Sequence, residues 1–358
     1  MNAQDLFCPN SACPASGHVG RGNLWVHDRR RERYRCTVCR RTFTPRTDTP
    51  LAHLRTPATT VSQVVTLVGH GCPIPAIEAA FALDRRTVRR WVAAAGQHAE
   101  RIHQHYVLQP RDLQHVQADE VRVRTQAGIV WMAMAVMVTT RLWLGGVVSP
   151  HRDRALITAL LTLVQRSAQL TRRLLLVTDG FQAYATATTR VFRQPRHRGQ
   201  PGRPRLRAWP GVVLVQVTKM SRPGVWQPWS KLDLGRGRRG GWVLARIPAC
   251  QVASTAAIER LNGTFRARCA ALARRSRQLV RQAPTLTAQM YLVGVIANFC
   301  TIHATLGQTP ALAAGITTQR WTMDDVLRAR IPPPPWRPPV HRGPLSKEER
   351  TLQEQWWR

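Results

Sequence analysis

The sequence predicts a multidomain chain: a small metal-nucleated module, an all-α module, and a larger α/β core with a mixed five-stranded sheet and flanking helices. Three observations predict it. Four cysteines fall in two short pairs within the first 39 residues. An arginine-studded helical stretch follows around residues 85–92. From about Leu113 the apolar pattern changes to short β-rich runs interleaved with helical spacing. At 358 residues and 44% hydrophobic, the chain is long enough for two or three domains and can build a real core.

The first module spans residues 1–50. Cys8 and Cys13 form a C-x4-C pair, and Cys36 and Cys39 a C-x2-C pair. Two knuckles this short can place four thiolates tetrahedrally around one structural Zn²⁺ with no open position. The stretches between them, Asn23 to Val26 and Arg33 to Arg35, are polar and strand-like, and metal binding would supply the folding energy they lack. Disulfides are the alternative, disfavoured in a cytoplasmic setting. Cys72, Cys250, Cys269 and Cys300 have no ligand spacing and read as small core residues.

The second module spans residues 51–110. Ile74 to Leu83 reads as a short amphipathic helix with Pro75 in its first turn. Asp84 can cap a new helix in which Val88, Trp91 and Val92 face inward. Arg85, Arg86, Arg89 and Arg90 would then face outward, as the recognition helix of a helix-turn-helix requires. A solvated basic helix is the bland alternative.

The core spans residues 111–328. Leu113 to Arg124, Val130 to Val138 and Leu142 to Val148 read as three consecutive strands. Arg152 to Gln169 has helical spacing at Ala155, Leu156, Ala159, Leu160 and Leu163. A strand over Leu174 to Thr178, a helix over Gly180 to Phe192, a strand over Val212 to Val217 and a long helix over Ser254 to Arg275 follow. Three antiparallel strands, helix, strand, helix, strand, helix is the RNase H-like order. A basic insertion, about residues 194–250, interrupts the core. Its Pro/Gly/Arg-rich start reads as a DNA-facing loop. Its Trp226, Trp229 and Trp242 stand among Lys231, Arg236, Arg238 and Arg239; they either grip unstacked DNA or pack a small hairpin. Residues 329–358 form a Pro-rich tail, read as extended and disordered.

Charge points to the partner. Lys and Arg number 53 against 19 Asp and Glu, a formal net charge of +34, and only Lys219, Lys231 and Lys347 are lysines. A GC-rich coding bias explains the preference for Arg but not the excess of base over acid. A polyanion follows, double-stranded DNA above all, with no small-molecule substrate. The N-terminus has neither the basic start nor the apolar core of a signal peptide. The apolar run Ile129 to Val148 divides at Thr139-Thr140-Arg141 like a hairpin, so it reads as two buried strands and not a membrane span. A cytoplasmic protein is expected.

Against that basic background three acids stand out. Asp119 ends the strand-like run His115 to Ala118, Asp179 follows the apolar run Leu174 to Thr178, and Glu259 lies in the helical stretch Ile258 to Arg266. Carboxylates in such places suit Mg²⁺ (or Mn²⁺), and two such ions can serve phosphoryl transfer. Asp119 and Glu120 should project to opposite faces of their strand, so one of the two is expected at the site. Asp153, Asp233, Asp324 and Asp325 read as surface or capping residues.

The segments Ala118-Asp119-Glu120, Val177-Thr178-Asp179-Gly180 and Ile258-Glu259-Arg260-Leu261-Asn262 resemble motifs of the DDE transposases of bacterial insertion sequences. The InsA/InsB-like group, with an N-terminal zinc ribbon and helix-turn-helix, is the nearest likeness. Arg266, seven residues after Glu259, stands where that family carries Lys or Arg. Asn298-Phe299, His303, Leu306-Gly307 and Thr309-Pro310-Ala311 look like its C-terminal segment. The resemblance runs from about Cys8 to about Leu327. It implies an RNase H-like fold and selects Asp119 over Glu120 as the first acid. It further implies cleavage and joining of DNA at Asp119, Asp179 and Glu259, with Arg266 on a phosphate beside the scissile bond. Binding of the element's terminal inverted repeats, and of target DNA, is implied as well, by a homo-oligomer of at least two chains. A DNA-binding regulator without catalysis and a structure-selective nuclease are the rival readings.

Overall fold

The computed structural model describes residues 2–169, 172–196, 205–209, 211–222, 225–231, 254–272, 282–333, 347–348 and 350–351, with side chains left aside at 195–196 and 218–231. Trp242, Cys250, Arg236, Arg238, Arg239, Asp233 and most of the Pro/Gly/Arg-rich loop lie outside the described residues, as do the side chains of Trp226, Trp229 and Lys231. The chain divides into two compact units, residues 1–55 with 328–358, and residues 56–327.

The first unit holds a three-stranded antiparallel sheet in the order β1 (Leu24–Asp28), β2 (Arg33–Cys36), β3 (Thr42–Phe43). Its apolar core is small: Leu6, Tyr34 and Phe43, beside a second cluster made of Cys8, Cys13, Ala15 and Cys36. A core of this size contributes only a few kcal/mol at about 1.5–3 kcal/mol per buried large side chain. The start of the Pro-rich segment belongs to this unit. Arg330 stacks 4.3 Å over the Phe7 ring and 5.3 Å from Phe43, and donates to the Phe7 carbonyl at 3.1 Å. The extended segment expected from Ile331 onward therefore begins as a packed strap through Pro333, which lies beside Gly17.

The second unit opens with helices α1 (Ala58–Gly69), α2 (Ile74–Phe81) and α3 (Arg85–Ile102). Ala82, in the left-handed region at φ 50°, turns the chain between α2 and α3. Asp84 then caps α3 by accepting from the Arg86 and Thr87 amides at 2.8 and 3.3 Å, a contribution of about 1 kcal/mol. Val88, Trp91, Val92, Ala95 and Ala99 form the buried stripe of α3.

A six-stranded mixed sheet follows. Its strands are β4 (Gln114–Thr125), β5 (Gly128–Met137), β6 (Trp143–Ser149), β7 (Leu174–Asp179), β10 (Val212–Arg222) and β11 (Val225–Lys231). Their order is β11-β10-β7-β4-β5-β6. Strand β7 runs parallel to both β4 and β10, and the other pairs are antiparallel. The five strands read from the sequence are all present, and β11 adds a sixth at the edge. The intervening helices are α4 (Arg154–Ser167) and α5 (Ala183–Val191), and the short pair β8 (Arg193–Arg196) and β9 (Arg205–Ala208) follows α5. The run Ile129 to Val148 forms β5 and β6, buried from Met132 to Met137 and from Trp143 to Gly146, while Ile129 is exposed. Among the described residues no helix is long and apolar enough to cross a membrane.

Helices α6 (Ala256–Arg268), α7 (Ala283–Val295), α8 (Pro310–Ala313) and α9 (Met323–Arg328) complete the chain. Helix α6 packs on β4 and β5, and α7 packs against α3. The α3–α7 crossing is close: a Cβ added at Gly96 would lie 2.4 Å from the Ala288 carbonyl oxygen. Helix α3 thus has two ends with different roles. Its second half is locked to α7, and Arg85, Arg86, Arg89 and Arg90 in its first two turns face solvent.

Candidate active site and metal centre

Strand pairing brings the first two acids together. The β4–β7 ladder ends at Ala118↔Thr178, so Asp119 and Asp179 are the next residues on two adjacent parallel strands. Carboxylate oxygens of Asp119, Glu120 and Asp179 all lie within 4.8 Å of one another. The expectation that strand alternation would exclude one of Asp119 and Glu120 does not hold at the level of the carboxylates. Alternation fixes where a side chain leaves the strand. Past the last β4–β7 pair only β5 still pairs with β4, so the β7 side is open and the longer Glu120 side chain reaches the same space.

Each acid has a defined partner. Asp119 Oδ1 accepts from the Glu120 amide at 2.9 Å, and Oδ2 accepts from Asn262 Nδ2 at 2.7 Å. Asp179 Oδ1 accepts from the Phe181 amide at 3.0 Å. The Gln216 side chain donates to the carbonyls of Asp179 and Phe181 at 3.1 and 3.0 Å, which fixes the bend after β7. Arg152, just before α4, bridges Glu120 at 2.8 Å and Asp179 at 3.0 Å. Its guanidinium lies 4.2 Å from the Phe181 ring centroid and 5.3 Å from that of Trp131. Burial, with the charges of Asp179 and Glu259, raises the Asp119 pKa, against the Glu120 amide and Arg152. Burial also raises the Glu120 pKa, with Asp179 adding to it while Tyr184 and Arg152 oppose. Tyr184, fully buried on α5, is pushed well above its ordinary value by burial and then by the Glu120 charge.

Glu259 is exposed on the first turn of α6 and accepts from Thr255 Oγ1 at 2.7 Å. It is not one of the three crowded carboxylates, but its charge is felt at Asp119. Helix α6 has no capping side chain of its own. Buried Gln117, on β4 two residues before Asp119, supplies one from about 140 residues away. Its Oε1 accepts from the Ala257 and Ile258 amides at 2.9 and 3.0 Å, and its Nε2 donates to the Ser254 carbonyl. Glu259, Asn262 and Arg266 are spaced i, i+3, i+7 and share one helical face. The Asn262–Asp119 bond turns that face toward the acids. Arg266 is half-buried, about 10 Å along the axis from Glu259 at 1.5 Å per residue.

The four N-terminal cysteines also converge. Cys8 and Cys39 sulfurs are 3.6 Å apart, and those of Cys13 and Cys36 are 3.9 Å apart. A tetrahedron with Zn–S bonds of about 2.3 Å separates its sulfurs by about 3.8 Å, so the residues present fit that ion. All four are free thiols, not disulfides. Asn23 Nδ2 donates to Cys36 Sγ at 3.3 Å. Burial pushes Cys8 far up and Cys13 up to about 11. At Cys39 burial is outweighed by hydrogen bonds, first from the Arg41 amide and then from Asn10, which bring it to about 7. Cys269 is buried and donates to Gln289, as a core residue.

On α3, Arg86, Arg89 and Arg90 are exposed, while Arg85 is engaged with Glu78 of α2 at 2.9 Å. Asp153 caps α4 at the Leu156 amide, as its reading as a capping residue requires. Sequence reasoning gave no role to Gln117, Arg152, Asn262 or Gln216. Only Asn262 carried a signal, three residues from Glu259 on a helix. No family model matches this chain, and no curated protein matches it.

Proposed function

We propose that this protein is a DDE transposase of an insertion sequence, acting on DNA by metal-dependent phosphoryl transfer. The observation that carries the reading is the Asn262–Asp119 hydrogen bond. It turns the face of α6 that bears Glu259 and Arg266 toward the carboxylates of Asp119 and Asp179. Asp119, Asp179 and Glu259 would hold Mg²⁺ or Mn²⁺, with Glu120 in reach of the same space. Ions held there supply activation of an attacking oxygen and stabilisation of a leaving one.

The chain's own residues set the stage. Gln117 and Gln216 fix the backbone around the acids, and Arg152 offsets part of their mutual repulsion. Arg266 offers a cation for a phosphate two helical turns from Glu259. The reaction is hydrolysis of a phosphodiester to free a 3′-hydroxyl, then attack of that hydroxyl on a target phosphodiester with departure of the target's 3′-oxygen. The zinc-binding fit of Cys8, Cys13, Cys36 and Cys39 and the α2–turn–α3 pair support two DNA-binding modules, a ribbon and a helix-turn-helix. Arg86, Arg89 and Arg90 are free to meet DNA, and Arg85 is available once it leaves Glu78. Joining two element ends calls for at least a dimer.

A strand-transfer assay tests the reading. Duplexes carrying the element's terminal inverted repeats are incubated with target plasmid and Mg²⁺. Cleaved and joined products are expected from the wild type and neither from Asp179→Ala, with end binding within a few-fold. Cleavage without joining would make the protein a nuclease of the same fold. Full activity in Asp179→Ala would remove the acid assignment.

A further inference from the structure

Three segments of the second unit are pinned together. Buried Asn298 donates to the Trp143 carbonyl and accepts from the Trp143 amide, both at 2.9 Å. That fastens the end of the 283–300 helical segment to the start of β6, two residues after Arg141. Arg268 of α6 donates to Thr301 Oγ1 at 3.2 Å, and Phe265 of α6 packs 5.7 Å from the Trp143 ring. The β5–β6 turn, helix α6 and the turn His303 to Gln308 therefore meet at one place.

What they bring is positive charge. Arg141 lies in the β5–β6 turn just past Val138, whose amide donates to the His115 carbonyl, and Arg260 follows the α6 amides held by Gln117, two residues from His115. Burial and then the Arg260 charge disfavour charge on Arg141, and burial with both arginines disfavours it on His303. Neither guanidinium has an ion pair or hydrogen bond among the described residues. Arg141 is also held at φ 58°, a left-handed conformation uncommon for a non-glycine residue. Around them, His303 Nδ1, His115 Nε2 and Thr140 Oγ1 are buried without hydrogen-bond partners. Burial and the two arginines keep His303 below its ordinary pKa, and burial with Arg141 does the same at His115. Positive charges gathered around unfilled hydrogen-bonding atoms match the needs of an anion.

We propose that Arg141, Arg260 and His303 form a binding site for a backbone phosphate of DNA, distinct from the acid cluster. The proposal rests on the reading that this chain binds DNA. His115 precedes Asp119 by four residues on β4, about 13 Å at 3.3 Å per residue. One strand of duplex DNA presents a phosphate about every 3.4 Å along its axis. A strand engaged at the acids would therefore carry a phosphate about four nucleotides away at the distance of this site. The site would hold the substrate in register while leaving the reacting bond free.

The test is the salt dependence of binding. The full-length protein is titrated with a fluorescent 30-base-pair duplex between 50 and 300 mM NaCl. Each phosphate contact contributes about 0.9 to the slope of log affinity against log salt. R141Q/R260Q should lower the slope by about one, the contribution of that single phosphate. R172Q/R190Q, which removes the same charge from exposed arginines elsewhere on the unit, should leave it unchanged. If the double variant does not fold, R141Q and R260Q taken singly should each lower the slope by about one. Equal losses in the two double variants would overturn the site in favour of diffuse charge, and so would an unchanged slope in R141Q/R260Q. A wild type with no salt-dependent affinity for the duplex would instead sink the DNA-binding reading beneath it.

Discussion

Gln117→Leu should loosen the helix that carries Glu259. Gln117 is 3% exposed, and its amide makes three hydrogen bonds to the backbone at the start of α6. Leucine keeps most of the volume and removes all three. Two amides, Ala257 and Ile258, and the Ser254 carbonyl lose their partner. A buried group left unsatisfied costs about 1–3 kcal/mol, and loss of a helix cap about 0.5–2 kcal/mol. Water can reach the helix end, so the sum is nearer about 2–4 kcal/mol than the full total. Placed on the local opening of α6, that is roughly a 30- to 700-fold rise in exchange rate at about 1.4 kcal/mol per decade. Hydrogen exchange followed by mass spectrometry over residues 254–268 reads it directly. Gln117→Glu keeps the acceptor for both amides and loses only the donor to Ser254, so it should recover most of the protection. Mn²⁺ affinity at the acids should fall in the leucine variant. Wild-type exchange in α6 of Gln117→Leu would show that packing on β4 and β5 alone holds the helix, and the account of how Glu259 is positioned would fail.

Two further perturbations probe the metal site and the core. Freshly purified protein should contain about one Zn²⁺ per chain, the content of a four-thiolate site, and Cys36→Ser should remove it while residues 56–327 stay folded. Metal analysis finding no zinc in reduced protein would refute the assignment. Acid should destabilise the second unit through two buried histidines. Burial lowers His103 from 6.5 to about 3 and His115 from 6.5 to about 4. Both are neutral when folded, so their contribution is complete above pH 6.5 and is lost as pH falls below it. At pH 5.5 each loses about 1.4 kcal/mol. Asp119 and Glu120, with raised pKa values, act in the opposite sense, so a net loss of stability from pH 7.5 to 5.5 is the signature of the histidines. Urea midpoints should drop across that window, and His103→Phe should reduce the drop. A midpoint independent of pH in that window would show that neither ring stays neutral in the fold.

Much of the sheet was legible because its strands obey a simple pattern. Leu174 to Thr178 is a short apolar run bounded by Arg173 and Gly180, and it forms β7 to within a residue. The apolar stretch Ile129 to Val148 folds as the hairpin that Thr139-Thr140-Arg141 suggested. What escaped was structure defined by distant partners. Strand β11 contains Pro228 and reads as part of a basic insertion. It exists as an edge strand paired with β10, where a missing donor on one side is tolerated. Arg330 likewise looks like one more basic residue before a proline run. Its role comes from Phe7 and Phe43, nearly three hundred residues earlier in the chain.

The acids stood out in the sequence for a different reason: each followed a strand-like run or sat near the start of a helix in a basic chain, although β4 continues past Asp119 to Thr125. Their supporting residues could not be found that way. Gln117 and Asn262 are unremarkable amides until β4 and α6 come together, and Arg152 is one arginine among many until it bridges Glu120 and Asp179. That bridge bears on what the cluster requires. Asp119, Glu120 and Asp179 crowd within 4.8 Å, with Glu259 felt nearby, and one guanidinium cannot balance so many negative charges. Burial makes the imbalance worse and raises the pKa of Asp119 and Glu120. A divalent cation coordinated by the same oxygens would reverse the sign of that field and favour the ionised carboxylates. The protein's own geometry thus keeps Asp119 costly to ionise while fixing both its oxygens through Glu120 and Asn262. A site arranged like that is poised for a cation of higher charge than Arg152 supplies.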